Sequence, residues 1–584
     1  ELGTIEAVVV KKTRDRKLDE FQKKLASLTF LDPACGSGNF LTETYISLRR
    51  LENKAIKELQ GDQIVMGDAV NPIKVNIHQF YGFEINDFAV TVAKTALWIA
   101  ESQMMKETED IVHMQLDFLP LETNATIIEC NALRIDWWRY IDRHKLSYIM
   151  GNPPFVGQAL KTKEQSDDTA LIFGKGSAET KMDYVVCWYK KALDYMQSTN
   201  ITAAFVSTNS ICQGESVPTF WKRMISEGAE IQFAHTNFEW SSEASDKAAV
   251  FCVIVGFSAK TTSGKKTIIT DGTAKEVEHI NAYLIDADDI WLVNRSNVSL
   301  CGYPKIIKGN EPSDARGQLF FTAEERSDLI SKYPFLEEYI LPFIGGQEYL
   351  DNKQGEYSRY CLWCYQKDPS SLSKVRELKD RFIAVSNARS NSSASRIQQR
   401  AEVPYLFCQI RQPSKTYLVI PRHTTSSRKY IPFGFESPKV IVGDSCSIIP
   451  DVGLFEFGVL TSNVHMAWTR VVCGRLGMGI RYSPSTYNNF PWPLPTYEQK
   501  LKIEQTAKEI LEARSLYPDR SLSALYDPLT MPVELRKAHQ NNDKAVMAAF
   551  GIKPGDLEYS SESACVAMLM RKYKSMTENN ETAK

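Results

Sequence analysis

An excess of charge of one sign is missing from this sequence: 69 Lys and Arg stand against 71 Asp and Glu, which leaves −2 over 584 residues. A generally basic nucleic-acid coat is excluded, and any positive surface has to be local. Long apolar runs are missing too. The longest, around Ala248 to Phe257, has the length of a strand and falls far short of the ~20 residues of a membrane span. No signal peptide is read at the start, and no internal repeat along the chain. Metal-ligand spacing is scarce: Cys361 and Cys364 form a lone C-x-x-C, without the second pair or nearby His pair of a zinc site, so no metal is expected. The 12 Cys are scattered, mostly in apolar runs, which suits a reducing compartment and excludes a disulfide framework. What is present is ordinary globular composition, 43% hydrophobic and 24% charged, long enough for two or three domains. The chain opens on Glu1 rather than Met, as an excised piece of a longer polypeptide would.

The periodicities predict an α/β first domain. A charged amphipathic helix over 14–27 precedes a short strand ending at Asp32, a Gly-rich turn and a helix from Phe40 to Leu59. Further strands are read at Gln79–Ile85, Thr126–Cys130, Ser147–Met150, Ile201–Val206, Ile231–His235 and Val250–Phe257, with a helix at Phe88–Glu101. Seven short strands among helices argue for a mostly parallel sheet covered on both faces, and the last two, joined by no convincing helix, form a hairpin with one strand reversed. After residue 300 the texture turns to Pro, Gly, Ser and aromatics. Pro491, Pro493 and Pro495 mark a boundary, after which the pattern is helical again. The division expected is 1–300, 301–493 and 494–584.

Chemistry concentrates at two strand ends. Asp32-Pro-Ala-Cys-Gly-Ser-Gly-Asn-Phe40 lies where a strand hands over to a helix, and its glycines let a ligand approach main-chain N–H groups. The third Gly of a dinucleotide fingerprint and the Lys of a P-loop are both missing, which argues against NAD and ATP. Glu84, ending the second strand, can accept from both hydroxyls of a ribose; the polar stretch Glu52–Asn76 reads as an insertion between the two motifs. Asn131 and Ala132, after the third strand, are placed to reach an adenine ring. Each residue has a bland use as cap, turn or solvated acid; their joint placement on three strand ends describes a nucleoside pocket.

After the fourth strand comes Gly151-Asn152-Pro153-Pro154-Phe155. Two consecutive prolines fix a rigid turn at the strand end, where open α/β sheets hold their sites. The Asn152 amide oxygen and the Pro153 carbonyl can both accept from an NH₂ group, and Phe155 offers a flat face to a heterocycle. The arrangement suits methylation of a planar amine.

In this order, DPACGSG, the acidic strand end in GFEI, and NPPF resemble the S-adenosylmethionine-dependent DNA adenine-N6 methyltransferases of the gamma arrangement. LDPACGSGNFL, QFYGFEIN, GNPPFVG, FVSTNSICQGE, the GRL and RYS elements around Arg475 and Arg481, YNNFPWP, SLYPDRSLSALYDPLTMP and LRKAHQNNDKAV are together similar to the MmeI-like, type IIL single-chain restriction-modification enzymes. The resemblance implies a class I methyltransferase fold, seven-stranded and Rossmann-like, joined to an α+β target-recognition domain and a C-terminal helical region. It places Asp32, Gly36 and Gly38 around the methionine moiety and Glu84 on the ribose, with Ala34, Cys35, Asn39, Phe40, Ile85, Asn131, Ala132 and Asn152 lining the rest of the cofactor pocket. Asn152 and Pro153, stiffened by Pro154, would hold the N6 amine. Phe155 would stack on an adenine flipped out of the duplex, since N6 is locked inside a base pair. Trp240 is expected on the other face of that base, with Phe238 behind it.

Two departures from the family are visible. The family's further cofactor motif lies upstream of the Gly-rich turn, where only 31 residues precede Asp32. Its usual N-terminal nuclease has no counterpart here: Pro450-Asp451 and Glu498-Gln499-Lys500 do not make a PD and E-x-K set, so this chain is expected not to cut DNA and a nuclease to lie upstream or on a separate protein.

From Arg381 to Lys429 nine basic residues face one acid, Glu402, a local excess of +8 interleaved with Ser, Asn and Gln. Such a segment predicts phosphate contacts and base readout. Arg389, Arg396, Arg400 and Arg422 are the expected readers, with Arg428, Lys429 and Arg481 beside them; Arg475 and Arg481 have a structural alternative. Residues 158–180 read as a mobile loop that orders over DNA. The expectation is a monomer on double-stranded DNA in the bacterial cytoplasm, with no membrane partner. Two other readings stand beside it: a protein glutamine-N5 or RNA methyltransferase, and an inactive sequence-specific DNA-binding module.

Overall fold

The computed structural model describes residues 1–60, 71–113, 115–116, 125–240, 250–259, 264–292, 298–476 and 479–582. They fall into two compact units, one of Glu1–Cys212 with Ser216–Ile285, the other of Gln213–Glu215 with Asp286–Lys584. No helix among the described residues is long and apolar enough to cross a membrane.

The first unit is built on a nine-stranded sheet. Its strands are β1 (Phe30–Asp32), β2 (Phe80–Glu84), β3 (Thr126–Glu129), β4 (Tyr148–Gly151), β5 (Thr202–Thr208), β6 (Glu230–Trp240), β7 (Val250–Ser258), β8 (Lys266–Thr270) and β9 (Thr273–Val277). The order is β3-β2-β1-β4-β5-β7-β6-β8-β9. β1 to β5 are mutually parallel, so Asp32, Glu84, Glu129 and Gly151 all end at one edge. β7 runs antiparallel to both β5 and β6, which is the reversed strand and hairpin expected.

Two strands exceed the seven that the sequence predicts. β8 pairs parallel with β6 and antiparallel with β9. The turn between β8 and β9 is Asp271-Gly272, with φ of 48° and 75°, the two positive values that a two-residue hairpin of matching twist requires. An Asp-Gly pair between short β-forming runs is a hairpin signal that the strand count overlooks.

Helices α1 (Leu2–Glu6), α2 (Lys11–Ser27), α3 (Asn39–Gln60) and α4 (Asp87–Val112) join the sheet in one apolar core that includes Leu18, Phe30, Tyr45, Phe80, Ala93 and Leu97. α4 starts where Asn86 accepts the Ala89 N–H at 3.0 Å, an N-cap. Glu52 and Asn53, read from the sequence as the start of an insertion, belong to α3 and are buried. Glu52 pairs with Arg49 and accepts the N–H groups of Lys74 at 2.7 Å and Val75 at 3.2 Å. Arg49 also donates to Thr108 at 2.7 Å, which bolts α3 to α4.

Residues 158–180 are not the loop that their polarity predicts. α5 (Lys163–Phe173) occupies the middle of the segment, opened by a reciprocal cap between Thr162 and Gln165. Its inward face is Asp168, Thr169 and Phe173, and it packs on α6 (Val186–Met196).

The second unit holds two four-stranded sheets and a three-stranded one. The first four strands are ordered Ile307–Lys308, Cys446–Pro450, Tyr417–Pro421, Gly434–Glu436; the second set Phe320–Thr322, Arg359–Leu362, Ile340–Ile344, Ile441–Val442. Cys361 and Cys364 are buried in the apolar core of the second set. The small sheet pairs His423–Thr425 and Arg475–Leu476 with Gly479–Arg481. Helices Tyr497–Ser515, Val533–Ala549 and Glu562–Thr582 complete the unit. In the Pro-rich segment, Trp492 is buried and stacks on Tyr303 with ring centroids 4.0 Å apart.

Candidate active site

β1 delivers Asp32 into the interior of the edge, 1% exposed, where it accepts the Ala34 N–H at 3.0 Å. Burial, reinforced by the Glu84 carboxylate, pushes its carboxyl up to about 7 despite the Ala34 hydrogen bond. The chain then turns through Gly36 at φ +52° and Gly38 at φ +82°. A Cβ on Gly38 would lie 2.9 Å from the Ala93 Cβ of α4, whereas one on Gly36 would meet open space. The turn is therefore packed from behind and vacant in front. The Cys35 thiol is buried, and burial raises its pKa, so Cys35 offers main chain alone to that space. Ala34 and Phe40 are half-buried and Asn39 is exposed.

Glu84, at the end of β2, binds the turn directly. Its Oε2 accepts the Gly36 N–H at 2.8 Å, and its Oε1 those of Ile85 and Asn86 at 2.9 and 3.0 Å. Ile85 is 67% exposed, an apolar side chain standing free beside the carboxylate. After β3, Asn131 accepts the Leu133 N–H at 3.0 Å. Ala132 is buried, and its carbonyl accepts the Trp137 indole at 2.8 Å.

β4 lies between β1 and β5 and brings the NPPF turn to the same edge. Gly151 is required there, since a Cβ would come 2.5 Å from the Asp32 Oδ1. Asn152 is half-buried; its Oδ1 is buried and has no hydrogen-bond partner among the described residues. An acceptor in that state costs about 1–3 kcal/mol. Pro153 is buried, Pro154 exposed and Phe155 half-buried. The exit of the turn is fixed at two points: Val156 donates to the Asp183 Oδ1 at 3.0 Å, and Tyr184 N–H to the Val156 carbonyl at 3.0 Å. Trp188, on α6, donates to the Pro33 carbonyl at 3.0 Å, which ties the Gly-rich turn to the segment after the prolines.

Asp32, the glycines, Glu84, Asn131 and Asn152 are thus brought together. Phe238 lies on β6 opposite Cys252; the Trp240 side chain lies outside the described residues. Sequence reasoning missed Asp168, Asp183, Tyr184 and Trp188, whose only local signal is the T-x-x-Q cap ahead of α5.

The basic segment of the second unit is not one positive face. Arg389 is 1% exposed. Its guanidinium donates to the carbonyls of Ser313, Arg400, Val403, Pro312 and Leu406 at 2.8–3.1 Å, which corrects its place among the DNA readers. Arg381 pairs with Glu325 and Arg396 with Glu311, acids that a charge sum over 381–429 does not contain. Arg411 donates to the Gly309 carbonyl. Arg396, Arg400, Lys429 and Arg481 are exposed, while Arg422 and Arg428 are half-buried and donate to the Asp444 carbonyl and the Thr424 hydroxyl. Arg481 sits across the small sheet from His423. Burial first, then the Arg422 and Arg481 charges, hold His423 below the usual imidazole range.

Comparison with known proteins matches three family models in chain order: the DNA-methyltransferase domain of MmeI over residues 9–270, its target recognition domain over 287–494 and its C-terminal domain over 496–580. The solved structure of the type IIL restriction-modification enzyme MmeI in complex with DNA is similar over 97% of this chain and 75% of that one, at 40% identity and a TM-score of 0.85. DNA methyltransferase A of Bacillus subtilis (strain 168) is 36% identical over 566 residues, 96% of this chain. The chain spans 63% of that relative's length.

Proposed function

This chain belongs to the MmeI family, of which it carries the methyltransferase, target recognition and C-terminal domains, and from that premise we propose that it methylates N6 of adenine in duplex DNA at one short sequence. Residues 1–300 carry the chemistry, 301–493 the recognition and 494–584 the helical support. The observation that carries the reading is the buried Oδ1 of Asn152, without a hydrogen-bond partner among the described residues, at the same sheet edge as the open face of Gly36.

The residues fit S-adenosylmethionine. Glu84 is the ribose acceptor, the Gly36–Gly38 turn leaves room for the methionine moiety, Asp32 faces its positive charge, and Ile85 and Asn131 take the purine. When bound, the cofactor supplies an electrophilic methyl group on a sulfonium. Asn152 Oδ1 and the Pro153 carbonyl accept the two hydrogens of the target amine and orient its lone pair, and Phe155 holds the ring by stacking. No side-chain base is required before transfer, because the amine sheds its proton once it has become cationic. The target recognition match over 287–494 supports DNA as the acceptor and leaves the protein and RNA methyltransferase readings without support.

The test is incubation of the purified chain with S-adenosylmethionine and duplex DNA, followed by modified-base sequencing. N6-methyladenine at one short motif is expected; methyl transfer only to protein or RNA would overturn the proposal, and calorimetry showing DNA affinity without cofactor affinity would favour the inactive module.

A pH dependence follows from Asp32. Its carboxyl titrates at about 7 and is ionised above that value, and a cationic ligand favours the ionised form. Affinity for S-adenosylmethionine should therefore climb as pH rises, by up to about tenfold per unit below 7, and level off above. Asp32→Asn should flatten the profile measured by calorimetry.

DNA affinity should fall with salt in the manner of counterion release. Lys429→Ala, which removes an exposed charge, is expected to weaken binding about equally for all sequences and to lower the slope of log K against log salt by about one.

A further inference from the structure

Three donors close on a single buried carboxylate beside β3. Asp168, on the inward face of α5 and 2% exposed, accepts from Asn131 Nδ2 at 3.0 Å, Arg134 Nε at 2.5 Å and the Tyr184 hydroxyl at 2.7 Å. Burial opposes ionisation, yet Tyr184, Arg134 and Asn131 together hold the Asp168 carboxyl below its usual range. An ionised carboxylate can only accept, so it must face the nitrogen of the Asn131 amide. On the other side, the Leu133 N–H can only donate and faces the Asn131 oxygen at 3.0 Å. Both neighbours impose the same orientation, and the 180° flip of the amide is excluded twice over. Asn131 Oδ1 keeps a second lone pair.

We infer that Asp168 is a positioning residue that fixes the polarity of Asn131, so that an oxygen rather than an NH₂ group meets position six of the cofactor's purine. The chain thereby selects an amino purine over a keto purine. The inference rests on the S-adenosylmethionine reading above. It gives α5, which follows the NPPF turn, a part in cofactor choice, although no residue of α5 lies at a strand end.

The substitution Asp168→Asn makes the case testable because it removes one of the two constraints on the Asn131 amide. The new side chain's oxygen stays with Arg134, a pure donor, and its NH₂ turns to Asn131 and to Tyr184, whose hydroxyl can accept. Asn131 then meets a donor on each side, the new NH₂ and the Leu133 N–H, so neither orientation of its amide is favoured and its NH₂ faces the purine as readily as its oxygen does. The experiment is calorimetric titration of the whole chain with S-adenosylhomocysteine and with S-inosylhomocysteine, which carries a carbonyl in place of the amino group. Wild type should prefer the adenosyl compound. In Asp168→Asn that preference should shrink by about tenfold, the adenosyl compound weakening while the inosyl compound does not. A merely structural loss would weaken both. An unchanged ratio in the folded variant would overturn the inference while leaving the cofactor reading intact; a wild-type chain that binds neither compound would overturn both. Should Asp168→Asn fail to fold, Asn131→Ala removes the amide while Arg134 and Tyr184 still hold the Asp168 carboxylate. There the ratio should fall toward one, and its persistence would overturn the inference equally.

Discussion

Asn152→Ala is expected to lower the rate of methyl transfer by about 10²–10³-fold, with affinity for S-adenosylmethionine largely retained. The variant should also fold at least as well as wild type. Asn152 Oδ1 is buried with no hydrogen-bond partner among the described residues, and such an acceptor weighs against the folded state until a ligand supplies a donor. Removing it relieves that cost and removes the group that would orient the target amine, so stability and activity should move in opposite directions. Single-turnover methylation and a thermal melt on the same preparation check both halves. Unaltered turnover would end the role given to Asn152, and a large drop in melting temperature would show that the side chain serves the fold.

Arg389→Ala should produce the opposite pattern. With its guanidinium gone, the carbonyls of Ser313, Arg400, Val403, Pro312 and Leu406 lose a shared charged donor inside the second unit. A loss on the order of 4 kcal/mol of stability is expected, read as a lower denaturation midpoint. The salt dependence of DNA binding should stay as it is for molecules that remain folded. A reduced salt slope with an unchanged midpoint would restore Arg389 to the readers.

Arg389 also shows where reading from sequence stops. The helix Arg376–Ser390 contains several charged residues, and nothing in their order distinguishes the one that turns inward. Burial of a guanidinium depends on carbonyls that approach from segments far along the chain. The same holds for the +8 segment, whose charge is reduced by Glu311 and Glu325, acids that lie outside the window. Asp168 is a third instance: polar composition argued for a loop, and its carboxylate is buried only because Asn131, Arg134 and Tyr184 arrive with donors.

What depended on local chemistry was legible. β1, β2, β4 and β5 are apolar because both faces of the sheet are covered, and their ends fell within two residues of the expected positions. Two glycines and two prolines at strand ends were enough to predict turns at one edge, and Asp32, Gly36, Glu84 and Asn152 do meet there. The Trp188 bridge to Pro33 spans 155 positions and left no local mark.

The final strand of the large sheet has a bearing on how the molecule behaves in crowded solution. Among the described residues β9 is paired on one side only, with β8, and all of it except Val277 is exposed. An open strand border of that kind is a template on which a second molecule can stack. Here it is short and carries Lys275 and Glu276, whose charges would have to be stripped of water for another ladder to form. Replacing both with valine would leave catalysis alone and invite fibrous precipitation.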